Sequence, residues 1–371
     1  MCWHSRFNIN IRWYSRLWSA LILRADFLYI YLPDANTKNI KGRDVQMKKL
    51  LAGLLAGIMA LGLLTGCTAA GNSGDGGKYR IGIVQPVDHP SLNRSRDSIV
   101  EELERLGMGD QVEITMENAN GDMNLLQSIM QNFMGDEVDM IVAIATPAAQ
   151  AALSSTTDIP IVFAAVSNPV EAGLVKDPSK PEGNVTGVSN SIPVQDIMEL
   201  SKVLTPEVQT YGFLYNSSEI NSAASIDNTK AYCNAEGIPY KEVTITSTAD
   251  IQQAVSSLTG QVDAFFTPND NMVASAMATY SQVATEAGLP IYVGADSMVA
   301  DGGLATVGID YNLLGEQTGR MIARIINGEA IGDNPVETVS EYANVINVEI
   351  AERLNISIPQ ELEDKFVKVG N

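Results

Sequence analysis

The chain has 371 residues, with 24 Lys or Arg against 44 Asp or Glu, a formal net charge of −20, and only three cysteines and two histidines. So acidic a surface repels phosphate backbones, which argues against nucleic-acid binding and against a polybasic membrane patch. Few thiols and imidazoles leave little material for a His or Cys metal cluster, so no metal and no cofactor is expected.

In chain order, residues 1–46 read as a mis-translated upstream extension. They hold all three Trp (Trp3, Trp13 and Trp18) and seven basic residues against three Asp. They also precede a segment that works only at the front of a nascent chain. That segment, residues 47–66, has the form of a lipoprotein signal peptide. Met47-Lys48-Lys49 is the basic head, Leu50 to Leu64 is an apolar stretch too short to span a bilayer comfortably, and Leu64-Thr65-Gly66 leads directly into Cys67. A Cys directly after Thr-Gly is where processing would attach lipid to the thiol, so Cys67 is the expected lipidation site and membrane anchor. Residues 67–77 then read as a flexible tether. Taking the nine basic and three acidic residues of 1–66 from the totals leaves 15 and 41, a net charge of −26 over 305 residues. Cys233 is then the one thiol without lipid, and it reads as a core residue.

The remaining chain is long enough for two domains, and its pattern is α/β: short β-rich apolar runs alternate with helical-period segments, the signature of parallel sheets. Strands are expected at Tyr79 to Val84, Val112 to Glu117, Val138 to Ala145 and Pro160 to Val166. Helices are expected at Arg96 to Leu106 and Asn124 to Met134. A second series has strands at Tyr211 to Tyr215, Glu242 to Thr246, Val262 to Phe266 and Pro290 to Val293, and helices at Ile197 to Leu204 and Met272 to Ala287. The Pro-, Gly- and Lys-rich stretch Lys176 to Asn184 is the expected first crossing between lobes. Beyond Asp310 a helix from Leu313 to Ile326, a strand from Ala343 to Val348 and a last helix imply that the lobes exchange segments. The expected division is 78–187 plus 311–332 for the first lobe and 188–310 plus 333–371 for the second.

Ligands of parallel α/β sheets bind beyond the carboxyl ends of strands, where loops and helix N-termini converge. Thr146-Pro147, after the third strand, has the form of an N-cap hydroxyl followed by Pro at the first helical position. It suits a carboxylate, or else Thr146 merely caps its helix. Ser167-Asn168, after the fourth strand, offers a second polar loop. Asp270, Asp296 and Asp310 recur after later strands. A desolvated ammonium needs one or two such carboxylates, whereas an N-cap or turn role is the plain alternative for each. An anion pocket and a cation pocket together describe an α-amino acid zwitterion. His89, with Pro90 after the first strand, either meets the ligand or satisfies nearby backbone. Tyr311 is either an aromatic wall of the site or a hinge tyrosine packed between lobes.

Five blocks stand in order: Gln85-Pro86-Val87-Asp88-His89-Pro90, Ala145-Thr146-Pro147-Ala148-Ala149-Gln150-Ala151, Asn184-Val185-Thr186-Gly187-Val188-Ser189, Pro268-Asn269-Asp270-Asn271 and Val307-Gly308-Ile309-Asp310-Tyr311. Together they resemble the ABC-transporter substrate-binding lipoproteins of the tryptophan/tyrosine type. Asn269 stands where such proteins more often carry Thr. The resemblance implies a type I periplasmic-binding fold of two Rossmann-like lobes joined by hinge strands, with an aromatic amino acid as ligand. Gln85, Ser189, Asn269 and Asn271 then join the candidate ligand residues. It also implies an extracytoplasmic, monomeric protein anchored to the cell membrane, serving an ABC permease with a separate ATPase subunit. The alternatives are another small ligand, such as a branched-chain amino acid, nucleoside or sugar, or a ligand-sensing lipoprotein coupled to a membrane kinase. An enzyme is not expected: no Gly-x-Ser-x-Gly elbow, P-loop or Gly-x-Gly-x-x-Gly after a strand is present.

Overall fold

The computed structural model describes residues 77–339 and 341–370. The signal-peptide, lipidation and upstream-extension readings fall outside the described residues. Within them the chain forms two parallel-type sheets, each wrapped by helices.

The first sheet opens with β1 (Tyr79–Gln85), α1 (Pro90–Arg105), β2 (Val112–Asn118), α2 (Met123–Gly135), β3 (Met140–Ile144), α3 (Thr146–Ser155), β4 (Ile161–Val166) and β5 (Val185–Ser189). The second lobe runs α4 (Val194–Leu204), β6 (Tyr211–Asn216), α5 (Ile220–Glu236), β7 (Tyr240–Ile245), α6 (Ile251–Leu258), β8 (Ala264–Thr267), α7 (Asn271–Ser275), α8 (Met277–Glu286), β9 (Ile291–Val293), α9 (Asp296–Ala300) and β10 (Ala305–Ile309). The chain then returns through α10 (Tyr311–Ile326) and β11 (Glu337–Thr338). It ends with β12 (Tyr342–Asn347), α11 (Val348–Arg353), α12 (Gln360–Glu363) and β13 (Val367–Val369).

Strand order is β11-β5-β4-β3-β1-β2 in one sheet and β13-β12-β10-β9-β8-β6-β7 in the other. Every pairing is parallel except β10 with β12. The inner strands β3, β4 and β6 are buried along their whole length, which is why Met-Ile-Val-Ala-Ile and Ile-Val-Phe-Ala-Ala-Val read as unbroken apolar runs. Helix α10 packs on α1 at close range. A Cβ on Gly315 would lie 2.6 Å from the Ser95 carbonyl oxygen, so only glycine lets the two backbones approach.

Four expectations need correction. The Pro- and Gly-rich stretch Lys176 to Asn184 is a loop within the first lobe and not a crossing, because β5 pairs with β4 from Ile161↔Val185 onward. The crossing follows Ser189, and residues 188 and 189 belong to the first lobe. The segment after 332 also stays there as far as β11, which pairs with β5, and the Thr186 hydroxyl donates to the Asn334 carbonyl at 2.7 Å. Helix α1 starts at Pro90, six residues before the expected Arg96, since Pro fills the first helical position and the Ser- and Asn-rich first turns carry few apolar residues to betray them. The expected helix Met272 to Ala287 is broken at Ala276 into α7 and α8.

Candidate functional site

A cleft of about 740 Å³ opens between the lobes. One wall is made of Pro86 and Val87 after β1, Asn120 and Gly121 after β2, and Thr146 and Pro147 after β3. The other holds Asn216 at the end of β6, Ser218 and Glu219 after it, Thr246 to Thr248 after β7, and Asn271 and Met272 after β8. All of these lie at the carboxyl ends of parallel strands, where loops from both sheets converge.

On the first wall the N-cap position of α3 is Ala145, at φ 74° and ψ 158°, a backbone region normally left to glycine. Thr146 is therefore the first helical residue and not the cap. Its buried hydroxyl has no hydrogen-bond partner, and the residue lines a cleft where the first-turn N–H groups of α3 lack intrahelical acceptors. An orphaned buried hydroxyl at a helix N-terminus is suited to an anionic group.

On the second wall the sequence reading missed Glu219. Its side chain does not cap α5 but reaches to the start of α7. One oxygen accepts from the Met272 N–H at 3.1 Å, and the other accepts from the Asn271 N–H at 3.2 Å and the Asn271 side-chain amide at 2.5 Å. Burial, and then the neighbouring Asp270 carboxylate, raise its carboxyl above the ordinary range. A cation in the cleft would remove that penalty. The only sequence signal was position, three residues after the buried strand β6.

Asp270 is fully buried and not on the cleft. One oxygen caps α7 through the Val273 N–H at 2.9 Å, and the other accepts the Asn216 N–H at 2.7 Å. Burial raises its carboxyl too. Asp310 caps α10 through the N–H groups of Asn312 and Leu313. Asp296 faces Arg94 of the other lobe at 3.2 Å. The N-cap or turn alternative therefore describes Asp270 and Asp310, and an ion pair occupies Asp296.

Other expected residues form the seam where the lobes meet. Asn269 donates to the Ser167 hydroxyl at 3.0 Å and to the Asn190 carbonyl at 3.3 Å, His89 Nε2 lies 3.4 Å from Asn271 Oδ1, and the Ser91 and Ser297 hydroxyls hydrogen-bond across the lobes. Burial lowers His89 to a pKa of about 4. Tyr311 is the hinge tyrosine: its hydroxyl accepts from the Asn190 side chain at 3.1 Å, joining two of the crossings, and burial raises its pKa. Gln85 is turned into its own lobe, donating to the Val87 carbonyl and to Asn93. Asn168 closes a turn by accepting from the Glu171 N–H, Ser189 donates to the Ser167 carbonyl, and Pro90 is the exposed first residue of α1. Of the expected residues, the structure thus brings Thr146, Pro147 and Asn271 to the cleft. Asn216, Glu219 and Met272 line it from outside that set, and Asn190 joins the seam.

Among the described residues no group of three or more His, Cys, Asp or Glu is placed to hold a metal, and no helix is long and apolar enough to cross a membrane. Cys233 is buried, and burial raises its thiol to a pKa of about 11.

Two α/β lobes joined by several crossings, with a polar cleft at their strand ends, define a small-molecule binding protein of the type I periplasmic-binding fold. Residues 80–369 match the family described as ABC transporter substrate binding protein, and the chain belongs to that family. The tyrosine-binding protein of Clostridioides difficile (strain R20291) is 38% identical over 335 residues, covering 87% of this chain and 97% of the relative. Two solved structures are each 40% identical to this chain. An ABC domain from Streptococcus pneumoniae in complex with L-Trp superposes with a TM-score of 0.76, covering 79% of this chain and all of that one. The ligand-free, open structure of a substrate-binding protein with adhesive properties from Clostridium difficile gives 0.62, covering 78% and 99%. At equal identity the shape is nearer to the ligand-bound relative, in keeping with the hydrogen bonds that close the seam.

Proposed function

We propose that the protein captures an aromatic amino acid as its zwitterion between the lobes and delivers it to an ABC permease powered by a separate ATPase subunit. The observation that carries this reading is the opposition of two groups across one cleft: the orphaned Thr146 hydroxyl at the start of α3 and the buried Glu219 carboxylate on the facing wall. The ligand carboxylate would take the first and the ammonium the second. Relatives whose names or bound ligands are tyrosine and tryptophan support the aromatic class. Contacts from both lobes would favour the closed form by their difference in affinity between closed and open states.

The same reading places the protein outside the cytoplasm as a monomer, held to the membrane by lipid on Cys67, with binding and not catalysis as its role. Similarity to the tyrosine-binding relative over 87% of the chain reaches back before Cys67 wherever it ends, so it takes in part of the segment read as the leader. Metabolic labelling with a lipid precursor in wild type and Cys67→Ala tests the anchor, and label retained by the variant would contradict it. Calorimetry with Trp, Tyr, Phe and their N-acetyl and amide forms tests the cleft. Binding of the free amino acids alone is expected, and equal binding of the blocked forms would overturn the zwitterion site.

A further inference from the structure

The cleft is lined by residues of both lobes, and among the described residues none of the lining is Phe, Tyr or Trp. The described lining gives a ligand ring no ring to stack on. What the two lobes offer instead is a thioether each: Met123 at the start of α2 on one side and Met272 in α7 on the other. Pro86, Val87 and Ile220 supply further apolar surface.

We propose that the thioethers of Met123 and Met272 clamp the side chain of the ligand from opposite lobes and set the preference for aromatic over aliphatic amino acids; this rests on the aromatic reading of the ligand given above. Sulfur is polarisable and meets ring edges favourably, while an unbranched side chain adapts to rings of different outline.

The two methionines are held differently. Met272 is half-buried, its sulfur accepts from the Asn216 side-chain amide at 3.7 Å, and its backbone N–H donates to Glu219 at 3.1 Å. The carboxylate assigned to the ammonium therefore also fixes the residue assigned to the ring, so the distance from Cα to side chain is read by one rigid unit. Met123 is 53% exposed at the rim and free to follow the ring. A fixed wall and an adaptable one would accept Trp, Tyr and Phe with modest differences and penalise leucine, which gives sulfur no ring edge to meet.

The test is calorimetric titration of the full chain with Trp, Tyr, Phe and Leu, for wild type, Met272→Leu, Met272→Ala and Met123→Ala. Met272→Leu is expected to reduce the aromatic-to-leucine affinity ratio at least threefold, and Met272→Ala to weaken the best aromatic ligand at least tenfold. Met123→Ala, at an exposed position that unfolding cannot depend on heavily, is expected to cut the same ratio about threefold and keeps the test open should Met272→Ala fold poorly. A ratio unchanged within twofold in both Met272→Leu and Met123→Ala overturns the clamp and leaves the aromatic reading standing. Wild type that binds leucine but no aromatic amino acid overturns both.

Discussion

Arg94 on α1 donates to the Asp296 carboxylate at the start of α9 across 3.2 Å, and the two residues belong to different lobes. Burial raises the Asp296 carboxyl while Arg94 opposes that shift, so the acid depends on closure for its partner. Neither residue lines the cleft. Arg94→Ala should therefore act on the equilibrium between open and closed forms and not on ligand recognition. The expected result is weakening by about three- to tenfold of every ligand alike. Calorimetry with two chemically different ligands checks it, and a loss confined to one of them would show a direct contact.

His89 makes stability depend on pH in a defined window. In the fold its ring stays neutral down to a pKa of about 4, whereas the unfolded ring takes a proton below 6.5. Above 6.5 neither state binds the proton and His89 contributes no slope. Between 6.5 and 4 the unfolded state gains it first, so stability falls as pH falls, by ~3 kcal/mol once both values are passed. Unfolding midpoints measured from pH 7.5 to 4 should drop more steeply in wild type than in His89→Gln.

Thr146 and Asp310 should separate binding from stability. Thr146→Ala removes the orphaned cleft hydroxyl and is expected to weaken amino acid binding at least tenfold, about 1.4 kcal/mol, with little change in unfolding midpoint. Asp310→Ala removes the cap of α10 and should cost about 1 kcal/mol of stability. Its ligand affinity should change far less. Thermal unfolding and calorimetry on both variants decide, and the reverse pattern would return Asp310 to the site.

Gly187 in β5 has no room for a side chain. A Cβ would stand 2.1 Å from the Phe163 carbonyl oxygen and 2.5 Å from its ring. Gly187→Ala must push strands β4 and β5 apart next to the first crossing, with a cost on the order of 1–3 kcal/mol. Denaturant melts would reveal it, and a change below 0.5 kcal/mol would mean the neighbouring strand yields easily.

The sheets were legible because buried parallel strands are written as apolar runs, as in Met140–Ile144 and Ile161–Val166. Strand β5 was not, because Val-Thr-Gly-Val-Ser is short and follows a loop whose Pro, Gly and Lys look like a linker. The crossing therefore lies later in the chain than that composition suggests. At the site, Thr146 was legible from the strand end and the proline beside it. Glu219 was hidden because sequence does not tell a buried acid from a solvated one, and α5 carries little amphipathic pattern to mark where it starts. The aspartates stood out as acids after strands, yet the backbone N–H groups at those same places had already claimed two of them.

The most direct measurement is calorimetry of wild type and Glu219→Gln with Trp, Tyr and Phe at neutral pH. Saturable binding of at least one of them by wild type, weakened at least tenfold in Glu219→Gln with the fold intact, is the expected result. Equal affinity in the two proteins would contradict the claim that the cleft holds an amino acid by its ammonium against this carboxylate.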